Sequence, residues 1–128
     1  MRVLTLSIVL ICIGCGSREP LQVEKVQLGR TLNPDNSVAS HTSVFKPADT
    51  VYVAALSGDK GYGTFKVRWM YQDRLVDEAS KEVSYRGPAA TEFHLQSAMG
   101  FPPGDYSVEM FLNGQPIGKR AYRVDEHR

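Results

Sequence analysis

The sequence predicts an all-β, antiparallel sandwich of about seven or eight strands behind an export signal. Short stretches in which apolar and polar residues alternate recur along the chain, most clearly over Thr64–Gln72. Clusters of Gly, Pro, Asn and Asp separate them at intervals of roughly 8–12 residues, the spacing of a sandwich. Downstream of residue 15 no stretch carries the pattern of a long amphipathic helix.

The N-terminal residues stand apart from this pattern. Met1-Arg2 leads into Val3–Ile13, apolar except for Thr5 and Ser7, and Cys15 is followed at once by the polar Gly16-Ser17-Arg18-Glu19-Pro20. One basic residue, a short apolar run and a small residue are the layout of an export signal. A bilayer span needs about 20 residues, which this run does not reach. Leu10-Ile11-Cys12-Ile13-Gly14-Cys15 resembles the end of a bacterial lipoprotein signal, although Cys12 stands where Leu is usual. The resemblance implies lipidation of Cys15, which would become the new N-terminus. Gly16, in a place where Asp commonly retains such proteins on the inner membrane, implies the outer membrane, facing the periplasm. The expected organisation is a signal peptide over 1–14, the lipidated Cys and a short tether over 15–22, a sandwich over 23–124 and a polar tail over 125–128. Cys12 and Cys15 also form a Cys-x-x-Cys pair, a spacing found in redox and metal sites. Both thiols fall inside or at the end of the signal, which disfavours that reading.

Charge excludes little but points nowhere. The 15 Lys+Arg and 14 Asp+Glu are interspersed. A near-zero balance gives no reason to expect nucleic acid as a partner. No Cys follows Cys15, so packing alone must hold the domain, and a chain of this length can bury a core of its own.

The elements follow in order. Val23–Leu28 reads as a first strand ending at Gly29. Asn33-Pro34-Asp35-Asn36 is a turn, because Pro presets φ while Asn and Asp bond nearby backbone. Ser37–Phe45 reads as a weaker strand, ended by Lys46-Pro47-Ala48-Asp49. Thr50–Ser57 has apolar residues on both faces, the mark of a covered central strand. Gly58–Gly63 reads as a glycine-rich loop without phosphate-loop spacing. Thr64–Gln72 places Phe65, Val67, Trp69 and Tyr71 on one face. Leu75–Tyr85 alternates poorly and is expected to form a short edge strand. Ala90–Gln96 is a further strand, followed by an apolar loop over Ala98–Asp105. Tyr106–Leu112 and Ile117–Val124 are joined through Asn113-Gly114, the pair that best accepts the positive φ values of a type I′ turn. Pro116 points to a longer loop there.

The stretch Phe101-Pro102-Pro103-Gly104-Asp105-Tyr106-Ser107-Val108, the Asn-Gly hairpin that follows and the Trp69 strand resemble bacterial immunoglobulin-like domains, over roughly Val23–Val124. The resemblance is to uncharacterised lipoproteins and envelope proteins. It implies a buried Trp69 and a Tyr106 that bonds back to the upstream backbone as a tyrosine corner. It brings no catalytic residues.

Residues that could carry chemistry are sparse. His41, His94 and His127 are far apart, without the ligand spacing of a metal site. The carboxylate pairs Asp77-Glu78 and Asp125-Glu126 are sequence neighbours, which point to opposite faces of a strand. No Gly-x-Ser-x-Gly elbow is present. No catalytic residue, metal or cofactor is expected. Tyr62, Met99, Phe101 and Phe111 are not required by the alternating core and are the candidate binding patch. Alternatively, Met99 and Phe101 plug an open end of the sandwich and Phe111 pairs across its hairpin. The function expected is a non-enzymatic, membrane-anchored binding or assembly module whose partner is an envelope protein or a glycan such as peptidoglycan. A small hydrolase or metal-dependent enzyme is the alternative.

Overall fold

The computed structural model describes residues 19–126. The signal segment 1–14, Cys15 and His127 lie outside the described residues. Eight strands follow in chain order: β1 (Val23–Gly29), β2 (Val44–Phe45), β3 (Val51–Ser57), β4 (Gly61–Tyr71), β5 (Arg74–Tyr85), β6 (Ala89–Leu95), β7 (Gly104–Leu112) and β8 (Gln115–Val124). One sheet has the order β1-β3-β6 and the other β2-β8-β7-β4-β5. Pairing is antiparallel except between β2 and β8.

Alternation builds the core. Phe65, Val67 and Trp69 of β4 and Tyr106, Val108, Met110 and Leu112 of β7 face inward. They meet Val26 and Leu28 of β1, Val51, Val53 and Ala55 of β3, and Phe93 and Leu95 of β6 in one hydrophobic cluster. Trp69 is 1% exposed. β3, the middle strand of its sheet, also buries Ala54 on its other face, as its two-sided apolar pattern predicts.

Tyr106 forms the tyrosine corner. Its hydroxyl donates to the Pro102 carbonyl at 2.6 Å, and its ring stacks on Tyr122 at 5.3 Å. Burial, reinforced by Tyr71, raises the Tyr106 phenol above its ordinary value. Burial, reinforced by Tyr106, raises the Tyr122 phenol further.

Four expectations change. Only Val44–Phe45 of the stretch Ser37–Phe45 is strand. Asp35 accepts from the Ser37 N–H at 2.9 Å and the Ser37 hydroxyl at 2.6 Å, while Asn33 Nδ2 donates to that hydroxyl at 2.9 Å. Such local bonds compete with a strand ladder. They also hold the Asp35 carboxyl below its ordinary pKa, the Ser37 hydroxyl first. β5 is the longest strand, 12 residues, not a short one; it does lie at a sheet edge. Its alternation is poor because residues 74–82 are exposed on both faces.

The glycine-rich stretch is a loop only over Gly58–Lys60, since β4 begins at Gly61. There Tyr62 N donates to Glu19 O and Leu21 N to Tyr62 O, both at 2.9 Å. A Cβ on Gly61 would stand 3.0 Å from the Leu21 Cα, so only glycine admits this crossing. Finally, the β7–β8 loop keeps its two residues, with φ of 52° at Asn113 and 84° at Gly114. Pro116 is absorbed by a register shift beside Met110 and Phe111 rather than by a longer loop.

Candidate functional site

The five-stranded sheet presents an open outer face made by the residues that alternate with the core. Across its middle run Glu78, Arg68, Glu109 and Lys119 of β5, β4, β7 and β8, in register. The signs alternate along this row. Arg68 Nε stands 3.0 Å from Glu78 Oε2, off the line of a hydrogen bond, so the contact is an ion pair. Lys66 Nζ stands 3.8 Å from the same carboxylate and 6.0 Å above the Phe111 ring. On the other side of the row, Leu75, Met70, Ser107 and Ala121 are neighbours in register. The face is therefore flat and mixed. Its salt bridges are exposed, and such pairs contribute about 0–1 kcal/mol to stability. Its apolar members are half-buried or exposed.

The structure separates the candidate patch. Tyr62, 37% exposed, and Phe111 share the outer face, on β4 and β7. Met99 lies in the β6–β7 loop, at the opposite end of the sandwich from Tyr62, and is 94% exposed. Phe101 is buried: its N–H donates to Pro47 O at 2.9 Å and its ring meets Tyr106 edge-on at 6.0 Å. Phe101 thus plugs the end of the core and offers no surface, whereas Met99 plugs nothing. Phe111 is opposite Pro116 across the hairpin.

Sequence reasoning missed a shallow groove of about 200 Å³ beside Tyr62, lined also by Glu19, Lys60, Ser84, Tyr85 and Arg86. No local signal could reveal it, because β4, β5 and the entering N-terminal segment build it jointly.

His94 is exposed on β6, with Nδ1 3.1 Å from Glu92 Oε1. His41 lies beside Gly29. Among the described residues no group of three or more His, Cys, Asp or Glu is placed to hold a metal ion, and no helix is long and apolar enough to cross a membrane.

The strand order, the buried Trp69 and the Tyr106 corner define an immunoglobulin-like β-sandwich. Solved structures agree. An immunoglobulin-like protein from Pseudomonas aeruginosa matches with a TM-score of 0.60 and 8% identity, over 86% of this chain and 100% of that one. A cycloisomaltooligosaccharide glucanotransferase from Paenibacillus sp., complexed with cycloisomaltoheptaose, matches with a TM-score of 0.54 and 16% identity. That match covers 85% of this chain but only 14% of the transferase. At these identities the likeness is one of fold alone. No family model matches the chain, and no curated protein matches it.

Proposed function

We propose that this protein is a bacterial lipoprotein, anchored through Cys15 to the outer membrane and facing the periplasm. Its sandwich recognises another envelope component without catalysing a reaction. The observation that carries the reading is the open outer face, where half-exposed Met70 and Phe111 flank an alternating charge row. Met, aromatic residues and Arg are enriched in protein-binding patches, and Met70, Phe111 and Arg68 supply all three on this face.

The entry of the chain supports the anchor. Glu19–Leu21 pairs with β4 at one end of the sandwich. Only the residues between Cys15 and Glu19 would separate that end from the lipid, about 13 Å when extended. Two or three acyl chains on one Cys suffice for stable attachment, since one alone holds marginally. Cys15→Ala should move the protein from the membrane to the soluble fraction and abolish the acyl mass. Unchanged fractionation and mass would remove the anchor from the account. Phe111→Arg, if the fold is retained, should abolish retention of the envelope partner on the purified protein. Undiminished retention would remove the outer face.

A second reading, glycan recognition, is favoured by the groove beside Tyr62. An aromatic ring beside a few polar groups suits a small-molecule site. Titration with soluble peptidoglycan fragments should then shift the Ser84 and Arg86 amide resonances, and Tyr62→Ala should remove the response; unchanged spectra would remove this reading.

A further inference from the structure

Immunoglobulin-like sandwiches have four open sheet edges, and here basic side chains reach the backbone of three. Arg120 Nη2 donates to Val26 O of β1 at 2.8 Å. Arg30 Nη2 donates to Val44 O of β2 at 3.3 Å. Lys81 Nζ donates to Glu92 O of β6, with its charge 3.5 Å from Glu92 Oε2. Edges guarded in this way are poor templates for another strand.

β5 is the exception. Along its 12 residues the one side-chain cap on its backbone among the described residues comes from within the strand, where Asp77 Oδ1 accepts the Glu78 N–H at 2.8 Å. Two consecutive apolar residues, Leu75 and Val76, are 49% and 45% exposed. Val76 is the extra residue of a bulge, since Trp69 opposes Asp77 and Met70 opposes Leu75, and β5 lies at the sheet edge, so no neighbouring strand covers either side chain.

We infer that β5 pairs antiparallel with β5 of a second copy of this chain, centred on Ala79. The sequence is self-complementary in that register. Asp77 falls opposite the second copy's Lys81, and the two-fold axis repeats the pair. Glu78 falls opposite Ser80, and Ala79 meets its own equivalent. Opposite charges directly across a strand pair are favourable and like charges are not. Asp77, Ala79 and Lys81 oppose Trp69, Val67 and Phe65 of β4, so both pairs of opposite charges lie on the inner side of the joined sheet. Lys81 then stands between Glu92 of its own chain and Asp77 of the other. Leu75 and Val76 are covered by the far end of the second β5. The two five-stranded sheets become one continuous sheet with a doubled outer face.

The test is disulfide trapping on the full chain carrying Cys12→Ser and Cys15→Ser, so that the introduced thiol is the only one. Directly opposed residues in an antiparallel pair have Cβ atoms about 4.5–5.5 Å apart, so Ala79→Cys should yield a covalent dimer under mild oxidation. Glu82→Cys should not, because its equivalents lie about 20 Å apart along the strand axis. Equal trapping at both positions, or none at Ala79→Cys, overturns the inference. Sedimentation of the reduced chain supplies a second readout. Asp77→Lys should weaken dimerisation about tenfold, and the double variant Asp77→Lys with Lys81→Asp should restore it. A chain monomeric up to about 100 μM, or a dimer indifferent to Asp77→Lys, also overturns it.

Discussion

Two buried tyrosines, stacked face to face, should respond oppositely to the loss of one oxygen atom. Tyr106→Phe removes the hydroxyl that donates to Pro102 O at 2.6 Å. The ring contacts with Tyr122, Tyr71 and Phe101 remain. A neutral hydrogen bond contributes about 1 kcal/mol net. Pro102 is exposed, so water can reach its carbonyl and the loss should stay near that value. In a domain of this size that lowers Tm by about 4–8 °C. Tyr106→Ala also loses the buried ring and should cost about 3–5 kcal/mol.

Tyr122 is the contrast. Its hydroxyl is buried and finds no hydrogen-bond partner among the described residues. Tyr122→Phe therefore removes a desolvated, unsatisfied group and should be neutral or stabilising by about 1 kcal/mol. Urea unfolding followed by tryptophan fluorescence measures all three variants on one scale, with Trp69 as the reporter. A neutral Tyr106→Phe, or a Tyr122→Phe as damaging as Tyr106→Phe, would refute the hydrogen-bond assignment at the corner.

Further expectations follow from the same packing. Trp69→Ala should cost about 3–5 kcal/mol, a large part of a typical stability of about 5–15 kcal/mol, and loss of cooperative thermal unfolding would register it. Gly114→Ala places a Cβ at φ 84° and should cost about 1–2 kcal/mol, read from the urea midpoint. Stability should fall as pH rises above about 10. The unfolded chain releases protons there that Tyr106 and Tyr122 retain when folded, because both phenols are raised in the fold. Urea midpoints at several alkaline pH values check the sign, and Tyr122→Phe should flatten the fall.

The sandwich could be read from the chain wherever one face of a strand is buried. Phe65, Val67 and Trp69, then Tyr106, Val108, Met110 and Leu112, write period two into the sequence because one face meets the core and the other does not. Asn113-Gly114 declared its turn because few other residues accept two positive φ values in succession. β5 could not be read in the same way: residues 74–82 are exposed on both sides, so no burial pattern separates its faces. Ser37–Phe45 misled because its β-branched and small residues suit a strand, while Asn33, Asp35 and Ser37 bond one another first. The candidate patch was assembled from residues the alternation left over. That criterion cannot tell an end plug such as Phe101 from a surface residue such as Met99, since both stand outside strands. The charge row and the groove beside Tyr62 depend on cross-strand register, which no single stretch contains.

The decisive experiment is site-specific photocrosslinking in intact cells on the full chain. One reactive group is placed at Phe111 on the outer face of the five-stranded sheet. A control is placed at Lys25, exposed on the outer side of the other sheet. A single reproducible adduct is expected from position 111, absent from position 25 and lost when Arg68→Glu breaks the charge row. Equal adducts from both faces, or an adduct at 111 indifferent to Arg68→Glu, would contradict it.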